Sequence, residues 1–377
     1  MIGVDARCRA RRGVVVLGLV LVGVGLAACA GRVPEDAAPS PGEIVPTPKA
    51  DAARLSRDLE ATVLENYALL ELGNLDAFAD RVAPGRAVGI FGASSDHVVA
   101  GISPPSLYED KRLFAGERLR MLSRNLDTHL SASGHVGWAF DEVSYRITRG
   151  EREAAIPLRV TGVYTRDVDT WVLAMEHQSY PMHIDEILAR AASDELPAAP
   201  SFQTAYDAGG PARELRRIAQ RVVAGEVGPH YRERHVAESA DALVILPGPR
   251  HEYTGRDIRD APTVASAFGA GEGEDAEVRI GDHLIEVADS GDMAWMMSNL
   301  KVRVPGAARA GDPVGVDLRG TFLFENRPRR GWVLLQMHVS VGVADALVWE
   351  RLFGRGALSG HARPLQPGLA PLASACR

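Results

Sequence analysis

Two stretches of this chain share one pattern. The first reads LRVTGVYTRDVDTWVLAMEHQS at residues 158–179, and the second reads LRGTFLFENRPRRGWVLLQMHVS at residues 318–340. Each contains a Thr, an aromatic residue three positions later, and then a Trp that is followed by His and Ser. The equivalent pairs are Thr161 and Thr321, Tyr164 and Phe324, Trp171 and Trp332, His177 and His338, and Ser179 and Ser340. The pattern predicts one structural unit written twice.

Further matches extend the repeat towards the N-terminus. Ser133-Gly134 precedes Trp138 as Ser290-Gly291 precedes Trp295, and Gly73 matches Gly225. We therefore predict two homologous domains, at residues 51–190 and 207–354, joined by a linker at residues 191–206 that is rich in Pro, Ala and Gly.

Hydrophobic spacing predicts the same elements in both copies. Leu55, Leu59 and Val63 recur at helical spacing, whereas Val143 and Tyr145 alternate with polar residues as in a strand with one buried face. Each copy is predicted to be a leading helix, a short strand, a small helix and a long antiparallel meander. This order indicates an α+β fold with helices on one face of the sheet.

The N-terminal segment has the features of a secretion signal. Several arginines precede an apolar run at residues 13–27, and that run is shorter than the about 20 residues that span a bilayer. Residues 26–29, LAAC, resemble the lipobox of bacterial lipoproteins. The resemblance implies that residues 1–28 are removed, that Cys29 carries a lipid, and that the protein is anchored in the bacterial envelope at the outer membrane.

Two further segments flank the predicted domains. Residues 29–50 begin at the lipidated Cys and are rich in Pro, which predicts an extended tether. Residues 355–377 are predicted to be a disordered C-terminal tail.

Composition excludes several classes of protein. The chain has 377 residues, of which 46% are hydrophobic, and a net charge of −7. This charge argues against a nucleic-acid binder. Three cysteines cannot build a disulfide framework, and the His/Asp/Glu groups near His183 and His230 match no known metal-ligand spacing. We therefore expect no metal and no cofactor.

The repeated motif resembles the SnoaL-like, nuclear-transport-factor-like proteins. It is similar to the end of the association domain of calcium/calmodulin-dependent kinase and to related bacterial SnoaL-like proteins. The resemblance covers both copies and implies two cone-shaped domains, each a curved antiparallel sheet, which pair as an intramolecular pseudo-dimer. The superfamily contains isomerases, dehydratases, hub domains and carriers, so the fold selects no activity.

The residues leave the chemistry open. Ketosteroid-isomerase chemistry needs a carboxylate base on the strand at residues 86–91, where there is none, and Tyr67 is one residue out of register. His177 and His338 are candidate catalytic bases, or else histidines that stabilise the sheet or the domain interface. The remaining candidates for a ligand pocket are Tyr67, Arg159, Thr161, Ser179, Arg319, Thr321 and Ser340.

Our prediction is a lipid-anchored envelope protein that binds a small apolar molecule in one or both cones, or another envelope protein, without catalysis. The alternative is a His-dependent dehydratase or isomerase-like enzyme that acts on a small apolar substrate in one cone.

Overall fold

The computed structural model describes most of both predicted domains. The described residues are 47–83, 88–95, 98–101, 118–149, 151–199, 201, 211–226, 234–237, 239–269, 276–307, 312–344, 347–348 and 350–351. The predicted signal peptide, Cys29, most of the tether, residues 200 and 202–206 of the linker, the small helix of the first copy and the C-terminal tail lie outside these residues.

The first domain places two helices against a seven-stranded sheet. The strand order is β2-β1-β7-β6-β5-β3, and β4 also pairs with β5. The elements are α1 (Lys49–Glu71), α2 (Leu75–Ala79), β1 (Val88–Phe91), β2 (Val98–Gly101), β3 (Arg118–Ser123), β4 (Asp127–Leu130), β5 (Val136–Arg149), β6 (Arg152–Asp167) and β7 (Thr170–Ser179).

The second domain repeats this arrangement after a short helix that packs against its sheet. Its strand order is β10-β11-β12-β13-β8-β9. The elements are α3 (Ile184–Ala191), α4 (Ala212–Val223), β8 (Leu243–Ile245), β9 (Glu252–Thr254), a 3-10 helix (Gly255–Asp260), α5 (Val264–Ala267), β10 (Glu277–Val287), β11 (Met293–Val304), β12 (Val314–Arg327) and β13 (Gly331–Val341).

Both sheets are mixed, whereas the sequence predicted antiparallel ones. The meander strands are antiparallel as predicted, but β1 pairs with β7 in parallel, and β8 pairs with β13 in parallel. The short first strand and the last meander strand are separated by most of the domain. A connection of that length allows the two strands to pair either parallel or antiparallel. The alternation of apolar and polar residues therefore could not predict the direction of the pairing.

The leading helices cover one face of each sheet. In α1 the apolar positions 55, 59 and 63 are buried at helical spacing, and the helix packs across β3, β4, β5 and β7. Gly73 follows α1 with φ +64°, and Gly225 follows α4 with φ +71°. Both glycines adopt the left-handed conformation that commonly ends a helix, because a residue without Cβ adopts it at little cost.

The opposite faces of the two sheets pack against each other. Phe140 of β5 packs with Leu243 and Ile245 of the second domain. At Gly89 of β1 a Cβ atom would lie 2.7 Å from the Sδ atom of Met297, so the absence of a side chain permits this close approach. The two domains therefore form an intramolecular pseudo-dimer through their sheets. None of the helices in the described ranges is both long and apolar enough to cross a membrane.

Candidate functional site

The two repeated histidines meet at the centre of the domain interface. His177 and His338 are 0% exposed, and their rings stack with centroids 3.8 Å apart and planes inclined by 14°. Each histidine occupies the equivalent position on the last meander strand of its own domain. The stack therefore lies close to the pseudo-twofold axis that relates the domains.

Each imidazole bonds hydroxyl groups of the other domain. His177 Nδ1 lies 3.1 Å from Thr321 Oγ1, and His177 Nε2 lies 2.7 Å from Ser340 Oγ. His338 makes the reciprocal bonds to Thr161 Oγ1 (3.0 Å) and Ser179 Oγ (2.8 Å). A neutral imidazole has one N–H donor and one acceptor nitrogen, and a hydroxyl can act as either, so four bonds satisfy both rings.

The two repeated arginines clamp the opposite domain in the same reciprocal way. Arg159 Nη1 donates to the carbonyls of Leu246 (2.8 Å) and Gly248 (3.2 Å). Arg319 Nη1 donates to the carbonyls of Gly92 (2.8 Å) and Ser94 (3.2 Å). Burial lowers the pKa of each guanidinium to about 10.

The interface thus gathers all the predicted site residues of the described chain except Tyr67. Eight of them hold the two domains together. They are Arg159, Thr161, His177, Ser179, Arg319, Thr321, His338 and Ser340. Burial, followed by neighbouring positive charges, lowers the pKa of both histidines well below its usual value. Their side-chain hydrogen bonds within the described residues go to Thr and Ser hydroxyl groups and to no carboxylate or Tyr, so this geometry supports a structural role.

A second polar group lies on the opposite face of the first sheet, inside the cone. Asp141 of β5 is 1% exposed, and its Oδ1 atom accepts hydrogen bonds from the backbone N–H groups of Arg124 (3.3 Å) and Asn125 (3.1 Å). Burial raises the pKa of Asp141. Burial, followed by the negative charge of Asp141, raises the pKa of Tyr67 on α1.

Tyr164 and Glu176 complete this cluster from β6 and β7. Both are buried, and burial followed by the charge of Glu176 raises the pKa of Tyr164. Glu176 Oε1 accepts a hydrogen bond of 2.6 Å from Gln178 Nε2. The Tyr164 ring lies over Gly162, where a Cβ would approach its ring carbon to 2.8 Å, so a residue without a side chain is needed there. We name Asn66, Tyr67, Asp141, Tyr164 and Glu176 the cone cluster.

Parts of the cone cluster lack a well-aligned hydrogen bond. Asn66 is 1% exposed and lies beside the Tyr164 hydroxyl, but neither its Nδ2 nor its Oδ1 atom forms a well-aligned hydrogen bond. The Oδ2 atom of Asp141 likewise accepts no well-aligned hydrogen bond, although the hydroxyls of Tyr67 and Ser123 lie near this carboxyl group. Each buried polar group left unpaired costs about 1–3 kcal/mol. An arrangement that stability alone would disfavour is a candidate functional site.

The second cone has apolar residues at the equivalent positions. One row across the first sheet is Ala139, Gly162 and Glu176, and the equivalent row of the second is Met296, Phe322 and Met337. The remaining substitutions, from the first domain to the second, are Asn66 to Ile218, Tyr67 to Ala219, Asp141 to Ser298 and Tyr164 to Phe324. Apolar side chains therefore close the interior of the second cone. Four of them are at most 2% exposed, namely Met296, Phe322, Phe324 and Met337.

Of the cone cluster, only Tyr67 is among the residues that the sequence predicts for the site. Features present in both copies indicate the interface residues, because the two domains use the same residue types there. The cone cluster is the set of positions at which the copies differ in polarity. Comparing aligned interior positions, such as Tyr164 with Phe324, would have found it.

No metal site is evident in the part of the chain that the structure covers. No group of three or more His, Cys, Asp or Glu is placed there to hold a metal ion. A cavity of about 210 Å³ lies between the domains and is lined by His183, Asp185, Arg250 and His251 among others. It brings together charges of both signs and therefore selects no ligand.

Comparison with known proteins agrees with the fold. The model of the SnoaL-like domain family matches residues 60–183 and 231–344, which together exceed half of the chain. The chain belongs to the SnoaL-like family. The two matched segments correspond to the two cones, so this SnoaL-like protein carries the domain twice. No curated protein matches the chain.

Solved structures of single domains resemble parts of this SnoaL-like protein. A protein of the NTF2-like family from Streptomyces avermitilis is 12% identical over 35% of this chain and 99% of its own (TM-score 0.31). An NTF2-like superfamily protein from Salmonella enterica is 15% identical over 35% and 90% (TM-score 0.28). A CaMKII hub homology domain from Chlamydomonas reinhardtii is 11% identical over 34% and 98% (TM-score 0.28). Such low identities and scores carry no functional information.

Proposed function

We propose that the first cone of this SnoaL-like protein binds a small molecule and that the second domain is a closed structural partner. The observation that carries the proposal is the cone cluster, which is buried, incompletely hydrogen-bonded and absent from the second copy. A ligand that formed well-aligned hydrogen bonds with Asn66 and with the Oδ2 atom of Asp141 would remove the cost of leaving these groups incompletely satisfied.

The asymmetry between the cones supports this division of roles. Ligand pockets combine a mainly apolar lining with a few polar groups that orient the ligand. The first cone has this composition, since the cone cluster lies among apolar residues such as Ile90 and Val143. In the second cone, Met and Phe side chains occupy the corresponding space.

A double variant that copies the second cone into the first tests the proposal. Asn66→Ile with Tyr164→Phe should retain or raise the free energy of unfolding, by about 1–3 kcal/mol, because removing neighbouring polar groups together leaves neither unpaired. The same variant should lose binding of small molecules about tenfold or more. Binding is measured by screening a fragment library by ligand-observed NMR, and stability by denaturant unfolding.

Tyr253→Phe is the matched control, because Tyr253 is a partly buried Tyr of β9 in the second domain. It should bind the same fragments as the unaltered protein. If the double variant folds and binds every fragment with unchanged affinity, the binding site is elsewhere and the proposal is wrong.

An acid–base enzyme is the second candidate function. Asp141 is a buried carboxyl group with a raised pKa, and it interacts with Tyr67. Such a pair can exchange a proton with a bound molecule. The contacts of His177 and His338 favour the interface role, so the candidate base is Asp141. Catalysis predicts that a ligand of the first cone is recovered chemically changed, whereas a carrier returns it unaltered.

We also propose that the protein is lipid-anchored in the bacterial envelope, at the outer membrane, with the first cone open to small molecules there. This proposal rests on the lipobox-like residues 26–29. Cys29→Ala should abolish incorporation of labelled fatty acid and move the protein from the membrane fraction to the soluble fraction. Cys376→Ala is the control and should change neither. Unchanged labelling of Cys29→Ala would contradict the anchor.

A further inference from the structure

We propose that the ligand of the first cone carries a protonated amine, which donates a hydrogen bond to the Oδ2 atom of Asp141. This inference rests on the proposed function, because it names the chemical class of the ligand that the first cone binds.

The geometry of Asp141 leaves one carboxylate oxygen without a well-aligned donor. Its Oδ1 atom is held by two backbone N–H groups, which fix the orientation of the carboxyl group. Its Oδ2 atom is buried and accepts no well-aligned hydrogen bond, although the hydroxyls of Tyr67 and Ser123 lie near the carboxyl group. A carboxylate oxygen accepts hydrogen bonds, and those from a charged donor are about twice as strong as those between neutral groups.

The charges within the cone have one sign. Asp141 and Glu176 both act on Tyr67, and both raise its pKa. Among the described residues, no charged Arg or Lys side chain is a main cause of the pKa shifts of Tyr67, Asp141 or Tyr164. The potential around the cone cluster is therefore set by carboxyl groups, which attract a cation and repel an anion at short range.

Asn66 is a second, independent indication of a ligand. Its amide is 1% exposed and lies beside the Tyr164 hydroxyl on the inner side of α1, and neither its donor nor its acceptor forms a well-aligned hydrogen bond. A buried amide of this kind usually has a partner. Its Oδ1 atom can accept a second hydrogen bond from the same ammonium group, which carries three donors.

A ligand that carries a carboxylate would be disfavoured in the first cone. It would lose its hydration on entering the cone and would place a negative charge beside Asp141. It could gain hydrogen bonds only from the two Tyr hydroxyls and the Asn66 amide. The cone cluster therefore selects for the charge of the ligand as well as for its shape.

Three probes of matched size test the inference on the purified full chain. Benzylamine, benzyl alcohol and benzoate share a phenyl ring and differ in a head group that is cationic, neutral or anionic at pH 7. We expect benzylamine to bind at least about tenfold more tightly than benzoate, with benzyl alcohol between them, in isothermal titration calorimetry. Chemical shifts of Tyr67 and Tyr164 should report the site.

The outcomes separate the inference from the proposed function. Tighter binding of benzoate than of benzylamine at the first cone would overturn the amine and leave the cone as a binding site. Binding of none of the three probes would overturn both. Binding of benzylamine that leaves the resonances of the first cone unshifted would also overturn the inference.

A charge-removing variant isolates Asp141. Asp141→Asn keeps the shape and the acceptor for the two backbone N–H groups, and should weaken benzylamine about tenfold while changing benzyl alcohol little. Asp169→Asn is the control, since its side chain is 83% exposed. The affinity of the unaltered protein for benzylamine should also fall as acid protonates Asp141. Equal loss of both probes in Asp141→Asn would assign the carboxyl a structural role and overturn the inference.

Discussion

Replacing Arg319 by Met should lower the free energy of unfolding by about 3 kcal/mol. Arg319 is 1% exposed, and its guanidinium donates to the carbonyls of Gly92 and Ser94 in the other domain. It also donates to the Gln178 carbonyl and to Ser340 Oγ. Met fills much of the same volume, so the loss reports chiefly the buried acceptors left without a donor.

The matched control for this prediction is Arg303→Met. Arg303 is an exposed residue of β11 in the same domain, and its replacement should change stability by no more than about 0.5 kcal/mol. Denaturant unfolding of both variants provides the measurement. A loss below about 1 kcal/mol for Arg319→Met would mean that the cost of burying the cation already offsets its hydrogen bonds.

The repeat made the interface residues predictable, but not their location. Equivalent His, Thr, Ser and Arg residues were visible in both copies because the two domains use the same face for the same contacts. Whether that face lined a cone or joined the domains depended on which side of each strand the leading helix covers. Alternation along a strand distinguishes two faces without saying what covers each.

The cone cluster was hidden for a different physical reason. Asp141 and Glu176 are separated by 35 positions and meet only through the register of β5, β6 and β7. Long-range strand register is not encoded in local periodicity, whereas the helices, the meander strands and the Gly that ends each leading helix follow from local preferences. The parallel pairing of β1 with β7 was missed for the same reason.

Acidification should destabilise the pseudo-dimer through the stacked histidines. In the folded protein the pKa values of His177 and His338 lie well below 6.5, because burial and neighbouring positive charges disfavour the imidazolium. The unfolded chain therefore binds more protons than the folded one at acidic pH, and stability falls as the pH falls. The stabilising effect is complete above the unfolded pKa near 6.5 and is lost from there down to the folded pKa values.

The expected loss is large because two equivalent groups titrate together. Each contributes about 1.4 kcal/mol per pH unit once the unfolded imidazole is protonated, which gives up to about 4 kcal/mol for the pair between pH 7 and pH 5. Denaturant unfolding measured at several pH values between these limits provides the slope. The raised pKa of Asp141 acts in the opposite direction, since its protonation favours the folded state.

Variants assign the slope to the pair. His177→Gln with His338→Gln keeps a donor and an acceptor towards each Thr and Ser but cannot be protonated, so the dependence on pH should fall by most of that amount. His135→Gln is the control, because His135 is exposed. His235, His251 and His283 also have lowered pKa values but are less buried, so they account for the remainder. A slope that is unchanged in the double variant would show that the stacked pair does not couple domain packing to pH.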